Sequence, residues 1–171
     1  MIYSGFAYQA HDPKWAFAPL SGEGAAVHGG RFNPKGKPAL YLATTLEGAV
    51  LEASHGLAFR FEPLTICTYD IDDMPLADLT DETLLRETGI SAEDLSSAWF
   101  LDASENRRPT SWTIYDRLHA RWNGIYVPSF ARKARADMHN IVLWRWQEVQ
   151  QGTISIFDPE RRLPKNQRSW E

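Results

Sequence analysis

The segment His28-Gly29-Gly30-Arg31-Phe32-Asn33-Pro34, followed by Gly36, sets an arginine between a glycine pair and an Asn-Pro turn. Glycines let a backbone approach a ligand closely, and a guanidinium offers a planar fork of donors to phosphate oxygens. Further along stand Tyr41, Glu52 and the run Tyr126-Val127-Pro128-Ser129, which add an aromatic ring, a carboxylate and a hydroxyl. Together these groups suit a substrate that carries a pyrophosphate, a flat base and a sugar. The spacing is equally compatible with a surface arginine and a solvated carboxylate.

Other familiar chemistries find no support. Gly22-Glu23-Gly24 begins like a dinucleotide-binding fingerprint, but Val27 stands where the third glycine is needed. The histidines (His11, His28, His55, His119 and His139) contain no pair four residues apart, so a helical zinc site is unsupported and no metal is expected. No Gly-x-Ser-x-Gly turn marks a serine hydrolase. A single cysteine, Cys67, excludes an internal disulfide and any multi-cysteine metal site.

Several elements must position the candidate residues. Residues 11–38 are rich in Gly, Pro and small residues and read as mostly loop, with a short strand near Ala25-Ala26-Val27. Ala39 to Ala43 reads as a short buried strand carrying Tyr41. Thr44 or Thr45 caps a predicted helix running to about His55 and stopped by Gly56, with Leu46, Ala49, Val50 and Ala53 on one apolar face. Glu52 lies at the border of that face, where a carboxylate can look into a cleft beside the core.

Beyond it, Leu64 to Ile71 alternates as a strand, and helices are predicted over Asp81–Glu87 and Ser91–Ala98, with Ser91 and Asp94 forming a capping box. Thr110–Trp122 reads as an amphipathic helix, and strands are predicted over Gly124–Val127, Asn140–Trp146 and Thr153–Phe157. The mixture lacks regular alternation, so the expected class is α+β, a mixed or antiparallel sheet with flanking helices.

The chain of 171 residues has room for one domain, with 159–171 expected as a surface tail. Its composition, 43% hydrophobic and 23% charged, is that of a globular protein. No apolar run is long enough for a membrane helix, and no signal peptide is visible at the N-terminus, so the expected compartment is the cytoplasm. A net charge of -4 argues against bulk electrostatic binding to nucleic acid or anionic lipid. Seven tryptophans read as core packing. The acidic stretch Asp70–Asp94 and the basic cluster Arg132-Lys133-Ala134-Arg135 read as solvated faces.

The sequence resembles the RES domain family, named for an arginine, a glutamate and a serine. The resemblance rests on Ser21-Gly22-Glu23-Gly24-Ala25, the Gly-Gly-Arg-Phe-Asn-Pro block at residues 29–34, Leu40-Tyr41-Leu42, Glu52, Gly124 to Ser129, Asn140 to Trp144 and Asp158 to Pro164. It implies a fold similar to that of ADP-ribosyltransferases and consumption of NAD by the toxin of a bacterial toxin–antitoxin pair. It also implies a helix-turn-helix antitoxin of the Xre type as partner, one that occludes the site.

By position, Arg31 corresponds to the family arginine, Tyr41 to its tyrosine, Glu52 to its glutamate and Ser129 to its serine. Glu52 would then stabilise positive charge on the ribose as nicotinamide departs. Arg31 would hold the diphosphate, Tyr41 would stack on a ring, and Ser129 would donate to a phosphate or ribose oxygen. Asn140 and His55 are further candidates.

Two departures are visible. Many members carry an early basic residue where this chain reads Ile2-Tyr3-Ser4, and the glutamate of many ADP-ribosyltransferases lies on a strand whereas Glu52 falls on a predicted helix. The expected reaction is transfer of ADP-ribose to a cellular protein. The alternatives are a glycohydrolase (water as acceptor) or a phosphorylase (phosphate as acceptor), and more distantly a non-catalytic nucleotide-binding module or a ribonuclease toxin.

Overall fold

The computed structural model describes residues 1–54, 63–147 and 149–170. Six strands form one mixed sheet: β1 (Ile2–His11), β2 (Leu40–Ala43), β3 (Thr65–Asp78), β4 (Gly124–Pro128), β5 (His139–Leu143) and β6 (Thr153–Ile156). The helices are α1 (Glu23–His28), α2 (Leu46–Ala53), α3 (Glu82–Thr88), α4 (Ala92–Ser96), α5 (Trp99–Ser104) and α6 (Trp112–Leu118). This is the α+β architecture expected, with helices flanking a sheet core.

The strand order is β1-β2-β5-β4-β3-β6, and β1 also pairs along β3. The sheet therefore curls until β1 meets both β3, over a long antiparallel register, and β2, through Tyr8 opposite Ala43. Among the described residues only β3 and β4 run parallel. Alternation then divides the core. Leu40, Leu42, Ile141 and Leu143 join Cys67, Tyr69 and Ile71 on the inner face. Tyr41, Val142, Ile125 and Val127 face the helices with Ile114 and Leu118. Because both faces of β5 are covered, Ile141 to Leu143 reads as a continuous apolar run.

Four differences from the sequence reading have physical causes. Residues 25–27 are helical, not extended: α1 starts after Gly22 and leaves Val27 66% exposed, a placement a buried strand would not allow. β3 runs past Ile71 to Asp78, because Asp70 and Asp72 point outward while Met74, Leu76 and Ala77 are buried. A left-handed residue at Asp73 (φ 53°) interrupts its alternation and hides the period. The helix read over 110–122 holds only Trp112–Leu118. β5 stops at Leu143, after which the Trp144 and Arg145 amides both turn onto the Asn123 carbonyl, at 2.9 and 3.1 Å.

The capping box at Ser91 and Asp94 is present. α5 went unread. In the tail, Leu163 packs against the inner core while its neighbours are largely exposed.

Candidate active site

The segment from Gly29 to Asn33 is held by bonds from several elements. Gly29 adopts φ 73°, a conformation open to glycine at no steric cost. The Gly30 amide donates to the Asn33 carbonyl at 3.0 Å. A side chain at Gly30 would collide with the Tyr41 hydroxyl and the Asn33 amide. The carbonyls of Gly30, Arg31 and Phe32 each accept one side-chain donor, from Trp112 Nε1 (2.8 Å), Ser111 Oγ (2.5 Å) and Trp144 Nε1 (2.9 Å). Tyr41 Oη accepts from the Phe32 amide at 2.9 Å and donates to Asn33 Oδ1 at 2.7 Å. Asn33 is fully buried and its Nδ2 donates to the Ala25 and Lys37 carbonyls, at 2.9 and 2.8 Å. Since a buried polar group left unpaired is costly, these bonds leave the loop one conformation.

Arg31 projects from this platform. One guanidinium nitrogen, Nη1, donates to the Ser97 carbonyl at 2.9 Å and approaches that of Leu95 at 3.4 Å, so the cation sits on the C-terminal end of α4. The guanidinium carbon lies 4.8 Å from the centre of the Phe130 ring. Burial pulls the Arg31 pKa below its ordinary value, and the nearby charge of Glu52 opposes that shift. An arginine remains protonated under both influences.

Glu52 comes from the last turns of α2, whose Thr45 side chain accepts the Gly48 amide as N-cap. One carboxylate oxygen, Oε1, accepts from Ser129 Oγ at 2.7 Å and from Asn140 Nδ2 at 2.6 Å. Ser129 stands just beyond β4 and Asn140 in β5, so two neighbouring strands fix the orientation of a carboxylate carried by a helix. No hydrogen bond within the protein reaches Oε2 among the described residues. Asn140 Oδ1 is buried and has no partner among them. The amide is oriented unambiguously, because turning it over would set an oxygen against the carboxylate.

Arg31, Tyr41, Glu52 and Asn140 line one cavity of about 540 Å³, together with Trp99 and Phe130. A smaller cavity of about 200 Å³ shares Tyr41, Glu52 and Asn140 as a wall and is otherwise lined by residues such as Tyr8 and Gln9. Four of the residues read from sequence thus meet at one place, and Ser129 joins them through Glu52. Its hydroxyl donates to the carboxylate, not outward to a ligand. The Tyr41 hydroxyl is taken up by the loop, leaving its ring to the cavity. His55 lies outside the described residues.

The basic cluster divides. Arg132 lines the cavity, whereas Arg135 pairs with Glu47 and with Asp137 on the surface. Ser4 bonds Asp72 on the outside of the sheet and adds nothing to the cavity. Among the described residues no cluster of His, Cys, Asp or Glu could hold a metal.

Phe130, Trp99, Trp112 and Trp144 were missed as parts of the site. Adjacency to Ser129 is the signal for Phe130. The tryptophans carried none, because a donor to a distant carbonyl looks like any core aromatic.

A curled α+β sheet with a carboxylate and an arginine facing one cleft is the class that fold and site define. The family model described as RES domain matches residues 6–166, and the chain belongs to that family. A solved chain of the M. tuberculosis MbcT–MbcA toxin–antitoxin complex has a similar fold, with a TM-score of 0.64 at 22% identity, over 92% of this chain and 84% of that one. No curated protein matches.

Proposed function

We propose that this protein cleaves the nicotinamide–ribose bond of NAD as the toxin of a toxin–antitoxin pair and passes the ADP-ribose to a cellular protein. The observation that carries this reading is the Glu52 carboxylate, held on Oε1 by Ser129 and Asn140 with Oε2 left to a ligand, in a cavity that also contains Arg31. Nicotinamide in NAD is a cationic leaving group and needs no acid to depart. Positive charge then grows on the ribose, as it does in glycoside hydrolysis, and a fixed carboxylate beside the sugar stabilises that charge without reorganising.

In this reading Arg31 binds the diphosphate through its remaining donors, while Nη1 stays on the Ser97 carbonyl. The Tyr41 and Phe130 rings line the cavity against flat groups. The unpartnered Asn140 Oδ1 supports a ligand donor at this point, and a ribose hydroxyl or a carboxamide carries one.

One observation favours a second reading. Arg132 brings another cation to the same cavity, which suits inorganic phosphate as the acceptor and hence a phosphorylase. The structurally similar chain belongs to a toxin–antitoxin complex. By analogy an antitoxin, expected to be of the Xre type, covers the mouth of the cavity here.

Purified protein incubated with NAD, with and without phosphate and cell lysate, tests the catalytic reading and its acceptor. The expected result is NAD loss with label from the adenylate half appearing on a lysate protein. Phosphate-dependent loss that yields ADP-ribose 1-phosphate and no labelled protein would select the phosphorylase. No NAD loss under any of these conditions would overturn the catalytic reading.

A further inference from the structure

A cavity larger than the candidate active site, about 1180 Å³, does not contain Arg31 or Glu52. It lies at the opposite ends of the same strands. Pro38 precedes β2, Asn123 precedes β4 and Trp144 to Trp146 follow β5, whereas Ala43, Ser129 and Asn140 mark the other ends. Strands of four and five residues separate the two ends by roughly 10–13 Å.

The chemistry of this groove is unlike that of an ordinary surface. Arg121 and Arg145 line it and are exposed, and among the described residues neither forms an ion pair with an acid, Glu23 on the groove wall included. In a chain of net charge -4, two arginines with no acidic partner among the described residues stand out on one groove. Arg121 lies over the Trp122 ring at 5.2 Å. Trp146 is fixed: its Nε1 donates to the Leu20 carbonyl at 3.1 Å and its ring edge rests on Gly22, where a side chain would collide with it. Rings held in place with cations beside them suit a ligand that carries both a flat ring and an anion.

Several main-chain groups of the groove are already in use. The Asn123 carbonyl already accepts two amides and its own amide donates to Pro75. The Leu20 and Gln151 carbonyls are taken by Trp146 and by the Asn123 side chain. An extended peptide, which binds through main-chain hydrogen bonds, cannot use these groups. A small ligand read by side chains does not need them.

We propose that this groove is a second binding site, for a nucleoside monophosphate or a ligand of that chemistry, with Trp146 taking the base and Arg145 and Arg121, held over the Trp122 ring, taking the phosphate. Trp144 belongs to the same groove, and its indole holds the Phe32 carbonyl beside Arg31. An occupant therefore touches a residue that also supports the catalytic loop. The inference goes beyond the catalytic reading and does not depend on it.

AMP is the probe, titrated by calorimetry into the Arg31→Ala protein, in which the catalytic cleft lacks its diphosphate-binding cation. One saturable site is expected. Adding Arg121→Ala and Arg145→Ala should weaken it about tenfold or more, the loss anticipated for charge-assisted bonds to phosphate. Both arginines are exposed, and an unchanged melting temperature shows that the variant is folded. Adenosine and inorganic phosphate should each bind at least about tenfold more weakly than AMP, because each carries half of the recognised chemistry. The site is refuted if AMP does not saturate, if the added substitutions leave its affinity unchanged, if phosphate alone binds as tightly, or if an acidic peptide binds the groove and AMP does not.

Discussion

At Glu52 the two carboxylate oxygens are not equivalent, because Ser129 and Asn140 both bond Oε1 and neither bonds Oε2. In the proposed reaction this asymmetry directs the charge at the sugar. Glu52→Gln keeps the shape and removes the charge, so NAD turnover should fall on the order of a hundredfold or more while the protein stays folded. Near wild-type turnover by the folded variant would remove Glu52 from the mechanism. Arg31 should behave differently, since a diphosphate clamp contacts ground and transition states alike. Arg31→Ala is expected to raise KM for NAD at least as much as it lowers kcat, and Arg31→Lys to recover only part of the loss. Unchanged NAD affinity of Arg31→Ala by calorimetry would disprove the clamp. The residue types at positions 31, 41, 52, 129 and 140 were legible in the sequence. That Ser129 and Asn140 meet on one oxygen of Glu52 was not, because the partners lie 77 and 88 residues away and nothing local marks the contact.

The elements around the site divide the work between holding and reacting. α2 brings Glu52 to the cleft, and β4 and β5 supply its two donors. The start of α6 and the residue after β5 hold the arginine loop through two indole N–H groups. Trp112→Phe keeps an aromatic ring and leaves the Gly30 carbonyl without its donor at a buried position. The expected cost is about 1–3 kcal/mol of stability. The loop that carries Arg31 should loosen as well, so KM for NAD should rise while Glu52 remains in place. A variant with wild-type melting temperature and KM would show that the loop holds itself. Periodicity disclosed the strands that carry Tyr41 and Asn140, since a short apolar run between breakers has few alternatives. It failed at α1, where six residues with no buried face give no helical period, and along β3, where outward aspartates and the turn at Asp73 mask a continuous strand.

At the scale of the molecule, the acidic charge is partly spent within the fold, whereas an apolar patch at the cavity mouth is not. The acidic stretch from Asp70 to Asp94 is partly consumed by the fold: Asp81 and Asp94 cap helices, and Asp78 holds Thr80. The cavity mouth tells another story. α5 buries none of its residues, and next to the cleft-lining Trp99 it displays Phe100 at 72% and Leu101 at 54% exposure. Large apolar groups grouped at the rim of a site mark a protein contact more readily than solvated charge does. If an antitoxin closes this cleft, it should rest on α5. Phe100→Asp combined with Leu101→Asp should then weaken the purified toxin–antitoxin complex by about a hundredfold, in the range lost when an interface anchor is removed. Neither residue lines the cleft, so NAD loss by the variant alone should match that of the wild type. In mixtures with antitoxin the variant should stay active at concentrations that silence the wild type. Equal inhibition of both would place the antitoxin elsewhere, and a variant inactive by itself would show that α5 serves the chemistry directly.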